Sequence, residues 1–240
     1  MPTLVLTPRF TPDAQALWRA AIQLGWSVHR LHKWIVPDEL KSLKEPVLYL
    51  EGLMSPTLAT QFGKELKEPP DDWLPDLPMK YKKRNVSLVS MREARKVKKP
   101  LFIKPPNDKS FPALTYWNGE ELPDWIPDDA NVLVCDVVRW TKEFRCFILD
   151  RTPLTLSIYL RDGKPQRACG FECFDEEYLE ARDFVVSVLQ DKKVPFPRAA
   201  CLDVGVIKGE GWAVVEQNAV WASGLYGCDP KQVLKALRHA

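Results

Sequence analysis

Histidine is nearly absent from this sequence. The 240-residue chain has three, His29, His32 and His239, all near its two ends. None is placed to serve a Ser/His/Asp triad, and His29 and His32 are expected to be structural. Glycine is scarce as well, with 11 residues, and the polar turn Asn107–Ser110 after Lys104 contains none, so this is not a P-loop. No run approaches the ~18 apolar residues of a membrane span. The opening MPTLVLTPRF lacks a basic leader ahead of an apolar region, so a cytoplasmic protein is expected. Excess charge is missing too: a net charge of +2 gives no field that would imply a nucleic-acid partner. The six cysteines include one spaced pair, Cys169 and Cys173, with no second pair or nearby histidine to complete a zinc site. Buried, reduced thiols are the expectation.

What is present fits a soluble globular chain with a sizeable core: 45% hydrophobic and 28% charged residues over a length that suits one large domain or two small ones. The stretch Ala200–Tyr226 organises the rest. Apolar runs Ala199–Ile207 and Trp212–Val215 flank the turn Lys208–Gly211, a hairpin signal. Asp203 lies on the first run, and Glu216 and Asn218 end the second. Residues two apart in an extended chain point to one face, and the hairpin can set Asp203 beside them. Two carboxylates and an amide oxygen at strand ends suit a hard cation such as Mg²⁺. The alternative is a surface hairpin with ordinary exposed acids.

Taken in order, the chain alternates strand and helix at first. Thr3–Leu6, Ser27–Leu31 and Val47–Leu50 read as strands, and Ala14–Leu24, Pro37–Leu43 and Ser55–Phe62 as helices. A small α/β lobe followed by a Pro- and Asp-rich linker, Glu68–Pro78, is predicted. The basic run Lys80–Arg84 reads as a solvated face, with Arg84 the best placed to meet a phosphate. Ser90 and Glu93 form a capping-box pattern for a helix over 91–98. Lys104 ends a short apolar strand and can present a point charge to a phosphate, or it is simply an edge-strand lysine. Residues 111–130 look irregular; Trp117, Trp125 and Trp221 are expected to be buried, with an acceptor pocket as the other role. Asn131–Val138 reads as a buried strand, and Glu143–Leu149 alternates so that Glu143, Arg145 and Phe147 share a face. Leu154–Arg161 is a further strand, Phe174–Leu189 the strongest helix, and Pro230–Leu237 an amphipathic C-terminal helix.

The order of these features, carried by FIKP (102–105), DVVRWTKEFRCFIL (136–149) and LDVG…VVEQNAVWASGLYG (202–227), resembles the ATP-grasp superfamily of carboxylate–amine ligases. The last two stretches are most similar to the branch that holds glutathione synthetase and the ribosomal-protein glutamate ligase. The resemblance implies an α+β fold in which two antiparallel-sheet lobes clamp a nucleotide, with a smaller lobe over 79–133 and a larger one over 134–240, preceded by the small α/β lobe of residues 1–78. It implies ATP and Mg²⁺ as cofactors, and small-molecule or peptide carboxylates and amines as substrates. Lys104 would contact the phosphates, with Lys109 in place of a glycine-rich flap. Asp136, Val137, Val138 and Arg139 would meet the adenine edge, and Glu143 would bind the ribose or orient the lysine. Arg84 would face the phosphates too. Asp203, Glu216 and Asn218 would hold the metal, and Arg145 and Arg161 would face the phosphates or an acyl-phosphate. Many members place an arginine just before the metal-binding aspartate; Cys201 stands there in this chain, with Arg198 the nearest candidate. The same fold also supports phosphotransferases and nucleotide-binding modules without turnover.

Overall fold

Thr11 and Pro12 start the first helix by two separate means. The Thr11 hydroxyl accepts from the Ala14 amide at 3.1 Å, and Pro12 occupies a position whose N–H would have no helical partner. The computed structural model describes residues 1–52 and 54–240. Its first lobe is a parallel sheet of β1 (Thr3–Leu6), β2 (Ser27–Arg30) and β3 (Pro46–Tyr49), in the order β2-β1-β3. The central strand β1 is buried along its whole length, as an apolar run in a parallel sheet should be. Helix α1 (Pro12–Gln23) lays Ala14, Leu17 and Ala21 on the sheet. The shorter α2 (Asp38–Lys41) and α3 (Ser55–Gln61) complete the lobe, α2 as a single turn rather than the longer helix its sequence suggests. The core of this lobe is not its own. Leu4 and Leu17 share one apolar cluster with Val233, Leu234 and Leu237 of the C-terminal helix and with Phe147 and Cys201.

The stretch expected as a linker, Glu68–Pro78, is ordered against the molecule. It contains the single turn α4 (Trp73–Asp76), and Trp73, Leu74 and Leu77 are buried. Their spacing places three apolar groups on one side of the turn, so hydrophobic burial outweighs the breaking tendency of the neighbouring prolines. After α5 (Met79–Lys82) comes an antiparallel sheet of β4 (Val86–Ser90), β5 (Leu101–Lys104), β6 (Leu114–Tyr116) and β7 (Asn131–Cys135), in the order β4-β7-β5-β6. The capping box at Ser90 and Glu93 forms, but α6 (Met91–Ala94) stops after one turn. The Val97 carbonyl accepts from the Gly119 amide at 2.8 Å instead of continuing a helix. Gly119 lies so close to Arg95 that an added Cβ would sit 2.2 Å from its carbonyl oxygen, so only glycine fits there. Trp117 and Trp125 are not buried: each is 69% exposed, because Phe111, Tyr116, Leu122 and Ile126 already fill the core of this sheet.

The third sheet is antiparallel throughout: β8 (Trp140–Leu149), β9 (Thr152–Arg161), β10 (Lys164–Pro165), β11 (Ala199–Ile207) and β12 (Gly211–Asn218), in the order β10-β9-β8-β11-β12. One face carries Phe144, Cys146, Ile148, Leu202 and Val204, covered by Ala181, Val185 and Val188 of α7 (Asp175–Gln190). The Glu177 carboxylate caps α7 by accepting from the Phe174 amide at 3.3 Å. Toward its other end the opposite face packs Phe147 and Cys201 against α8 (Pro230–Leu237), whose first turn is capped by Asp229. Cys135, Cys146, Cys201 and Cys228 are buried free thiols, whereas Cys169 is exposed and Cys173 partly so. Among the described residues no helix is long and apolar enough to cross a membrane.

Candidate functional site

The four- and five-stranded sheets meet at a cleft of about 350 Å³ lined by Arg84, Phe102, Lys104, Asp136, Val137, Val138, Trp140, Glu143, Tyr159 and Glu216. Its polar end is built by strand register. Asp203 and Glu216 are direct partners across the β11–β12 hairpin, with a bulge just after Asp203. Asn218 lies two residues beyond Glu216 on the same face, and its Nδ2 donates to Glu216 Oε1 at 3.0 Å and to Asp203 Oδ2 at 3.3 Å. Arg145 lies opposite Asp203 on β8. Its guanidinium grips that carboxylate at both ends, Nε to Oδ1 at 2.9 Å and Nη2 to Oδ2 at 2.7 Å, and Nη1 donates to the Gly224 carbonyl at 3.1 Å. Lys104, the last residue of β5, donates to Glu216 Oε2 from the other sheet. A continuous polar chain Lys104–Glu216–Asn218–Asp203–Arg145 therefore crosses the base of the cleft.

Burial and charge tune these groups in opposite directions. Desolvation works to raise the Glu216 pKa, but the Lys104 ammonium and the bonds from Lys104 and Asn218 outweigh it and hold the carboxyl at about 2. Asp203 has no solvent exposure, and desolvation pushes its carboxyl upward against the pull of Arg145. Glu143 is raised to about 7: burial is the main cause, the Asp203 and Glu216 charges add to it, and a 2.8 Å bond from the Tyr159 hydroxyl opposes it. The site thus keeps one permanently ionised carboxylate beside one that titrates near neutrality.

Arg84 is buried, and its guanidinium donates to the Val214 and Val215 carbonyls at 2.7 and 3.0 Å and lies 4.9 Å from the Trp140 ring. It anchors β12 to the wall of the cleft rather than standing on a solvated face. Asp136 accepts from the backbone and side-chain nitrogens of Asn85 at 2.9 and 2.7 Å, which ties the end of β7 to the chain ahead of β4. Val137 and Val138 continue along the cleft edge.

Three expected site residues lie elsewhere. Arg139 is exposed and pairs with Asp162 at 3.3 Å, away from the cleft lining. Lys109 is exposed on the loop after β5 and does not line the cleft. Arg161 grips Glu177 of α7 with both amino groups at 2.9 and 2.8 Å. The cause is a bulge. On β9, Ser157 pairs with Arg145 and Ile158 with Phe144, but Leu160 pairs with Glu143, which leaves Tyr159 as the extra residue. One extra residue reverses the alternation beyond it, so Arg161 pairs with Lys142 and turns to the helix face, while Tyr159, two residues from Ser157, keeps the cleft face. Arg198, the residue nearest to a replacement for the missing arginine, pairs with Asp150 at 3.1 Å, and Cys201 is fully buried in the core shared with the first lobe.

Arg161→Ala should therefore leave nucleotide binding unchanged and lower stability by about 1 kcal/mol at neutral pH. The Arg161 bonds, helped by Lys142 and opposed by desolvation, hold Glu177 at about 2. That depressed value stabilises the fold above the ordinary glutamate range and loses its contribution as pH falls toward 2, so the variant's deficit should shrink in acid. Denaturant titrations at neutral pH and in acid, with ADP binding measured alongside, check this; weakened ADP binding would return Arg161 to the cleft.

Sequence reasoning missed two aromatic residues. The Tyr226 ring lies 4.6 Å from the Arg145 guanidinium and stacks on Tyr159 at 5.2 Å between centroids. Together they wall the side of Arg145 that Asp203 does not cover. Tyr226 belongs to the GLYG turn, so its position in that stretch was the available signal; Tyr159 lies two residues from Ser157, the partner of Arg145, so plain alternation along β9 was its signal.

Among the described residues no three His, Cys, Asp or Glu side chains converge on one point. The donor set is instead two carboxylates with the Asn218 amide, which bonds to both. Turning that amide about its last torsion presents Oδ1 in place of Nδ2. These are hard oxygen donors, and one or two carboxylates completed by water and phosphate is a fitting set for Mg²⁺.

A family model described as an ATP-grasp domain matches residues 81–236. No curated protein matches the chain in sequence. Solved structures share its fold at low identity. A RimK domain protein ATP-grasp from Sphaerobacter thermophilus is 12% identical, with 99% of each chain covered and a TM-score of 0.59. The D-cycloserine synthetase DcsG is 13% identical, with 98% of each chain covered and a TM-score of 0.61. D-alanine–D-alanine ligase from Bacillus anthracis, complexed with ATP, is 12% identical over 98% of this chain and 95% of its own, with a TM-score of 0.52.

Proposed function

Because the chain belongs to the ATP-grasp family, we propose that it is an ATP-dependent, Mg²⁺-requiring ligase that joins a carboxylate to an amine through an acyl-phosphate. The observation that carries this reading is the polar chain from Lys104 to Arg145 at the base of a cleft roofed by a second sheet. In it, cations and metal-type oxygen donors stand together, and among the described residues no histidine lines the cleft to act as a base. Phosphoryl transfer makes that demand: positioning and charge stabilisation, with little covalent work for the protein.

In the reaction proposed, a substrate carboxylate oxygen attacks the γ-phosphorus and the bond to the β–γ bridging oxygen breaks, releasing ADP. The amine then attacks the acyl carbon, the bond to the phosphate oxygen breaks, and the amine gives up a proton as the amide forms. Lys104 supplies positive charge to the phosphates. Glu216, Asn218 and Asp203 are the residues that would hold Mg²⁺, which supplies charge neutralisation on the phosphate oxygens when bound. Arg145, clamped in orientation by Asp203 and Tyr226, faces the developing charge with a fixed guanidinium. Glu143, raised to about 7, accepts from the Tyr159 hydroxyl at the wall of the cleft and can bind a ribose hydroxyl in either state. The edge at Asp136, Val137 and Val138 offers backbone groups to the adenine.

Cys201 supports a second reading. A buried thiol occupies the place of an arginine that would steady a tetrahedral intermediate, which fits a module that binds nucleotide without turnover. Incubation with ATP, magnesium and a panel of amino acids and short peptides, with hydroxylamine as the acceptor, separates the two. Hydroxamate with ADP and phosphate is the expected outcome. AMP and pyrophosphate would remove the mechanism, and bound ATP with no product from any acid would favour the second reading.

A further inference from the structure

Strand β2 is an edge strand of the first lobe's sheet. The Ser27 amide donates to the Pro2 carbonyl at 3.2 Å and the Leu31 amide to the Leu6 carbonyl at 2.9 Å. In a parallel ladder this register turns the backbone groups of Ser27, His29 and Leu31 toward β1, and the N–H and C=O of Val28 and Arg30 outward. Among the described residues nothing bonds to those outward groups.

Val28 and Arg30 also line an open groove of about 510 Å³ beside α1. Gln15, Trp18 and Arg19 line it from the helix, three and four residues apart and so on one face. The Arg30 guanidinium lies 4.4 Å from the Phe10 ring centroid and 5.6 Å from that of Trp18. Phe10 is 76% exposed and Trp18 36%, an aromatic surface that the fold leaves uncovered. The charge of the groove has one sign. Arg19 and Arg30 line it with His29 and His32, and no acid does; Glu51 acts on Arg30 from outside the lining. Arg30 Nη1 donates to the Thr7 and Arg9 carbonyls, which leaves Nε and Nη2 without a partner among the described residues. Among them Arg19 has no ion pair either.

We propose that this edge docks an extended acidic peptide segment of another protein, added to the sheet as a fourth strand beside β2. An added strand supplies N–H and C=O groups in alternation to Val28 and Arg30. Its side chains alternate as well, so every second one enters the groove. A carboxylate there meets Arg19 and Arg30, and an aromatic or aliphatic group meets Trp18 and Phe10. A single-stranded nucleic acid would suit the cations and the rings, but its phosphates only accept, so the outward carbonyls stay unmet. A second copy of this chain docking edge to edge brings the same cations, and like charge opposes it. The surface belongs to the first lobe alone, so the proposal does not depend on what the cleft catalyses.

The probe is a capped peptide in which glutamate, phenylalanine and glutamate alternate with threonine, carrying a fluorescein label read by anisotropy against the full chain. It should bind, and its counterpart with lysine for glutamate should bind at least roughly tenfold more weakly. Arg19→Glu, at an exposed helix position, should reverse that preference with an unchanged melting temperature. Strand pairing has its own signature. Successive N–H groups point to opposite edges of a strand, so N-methylation of alternate amides should abolish binding for one set and spare it for the other. Binding of neither peptide, no reversal in Arg19→Glu, equal loss from both methylated sets, or displacement of the peptide by an equimolar single-stranded oligonucleotide would each overturn the proposal. So would a dimer of the unmodified chain in sedimentation that Arg19→Glu breaks, since β2 would then be the interface between copies.

Discussion

Arg145→Met is expected to destabilise the protein by about 3–5 kcal/mol, the typical result of removing one partner from a buried ion pair. The remaining partner is Asp203, which has no solvent exposure and whose charge Arg145 grips in bidentate fashion. Desolvation already raises the Asp203 carboxyl, and losing Arg145 raises it further. A carboxyl whose folded pKa lies above its unfolded value favours the fold in acid and penalises it as pH rises through the folded value. The loss should therefore be larger in mildly alkaline buffer than in mildly acidic buffer. The double variant Arg145→Met with Asp203→Leu should recover most of the stability, since no charge is then buried alone, while remaining inactive. Urea titrations of the two single variants and the double, under both conditions, check the argument. Additive effects would show that the pair does not act as a unit.

Glu216→Ala is expected to lower ATP turnover by roughly two to three orders of magnitude, the scale of removing one charge-stabilising group from such a site. It should also reverse a sign. Without magnesium, Glu216 places a negative charge, its pKa held at about 2, beside Lys104, where the phosphates are proposed to lie. Removing it frees Lys104 and should tighten ADP binding in chelator-treated buffer. With magnesium, the variant lacks a ligand and should bind ADP more weakly than the parent. Calorimetric titrations of ADP with and without magnesium would show the order of the two affinities reversing. Lys104→Ala should weaken ADP binding under both conditions. If magnesium strengthens ADP binding equally in parent and Glu216→Ala, this residue is no part of a metal site.

Much of the site is legible in the sequence. Asp203, Glu216 and Asn218 follow from a hairpin and a two-residue period, and both are local rules. The structure pairs Asp203 with Glu216 and puts Asn218 against both. Arg145 shares a face with Glu143 for the same reason. The residues misjudged are those whose direction depends on something non-local. Arg84 looks solvated within KYKKR, yet it is buried on the carbonyls of a strand 130 residues away. Trp73 and Leu77 sit among prolines that suggest a linker, but a sheet from the other end of the chain offers them a place to bury.

The sequence by itself determined most of the elements, the hairpin that carries the acids, the lysine at a strand end and the membership of a nucleotide-binding family. Each rests on short-range periodicity or on a recognisable string of residues. Tertiary structure alone decided that Lys104 pairs with Glu216, that Arg161 turns away from the cleft, and that, among the described residues, the buried Gln217 amide has no hydrogen-bond partner. The reason is that a bulge, a strand partner and a cavity wall are properties of register between distant segments. A single inserted residue on β9 turns Arg161 from the cleft face to the helix face, and no pattern within β9 records it.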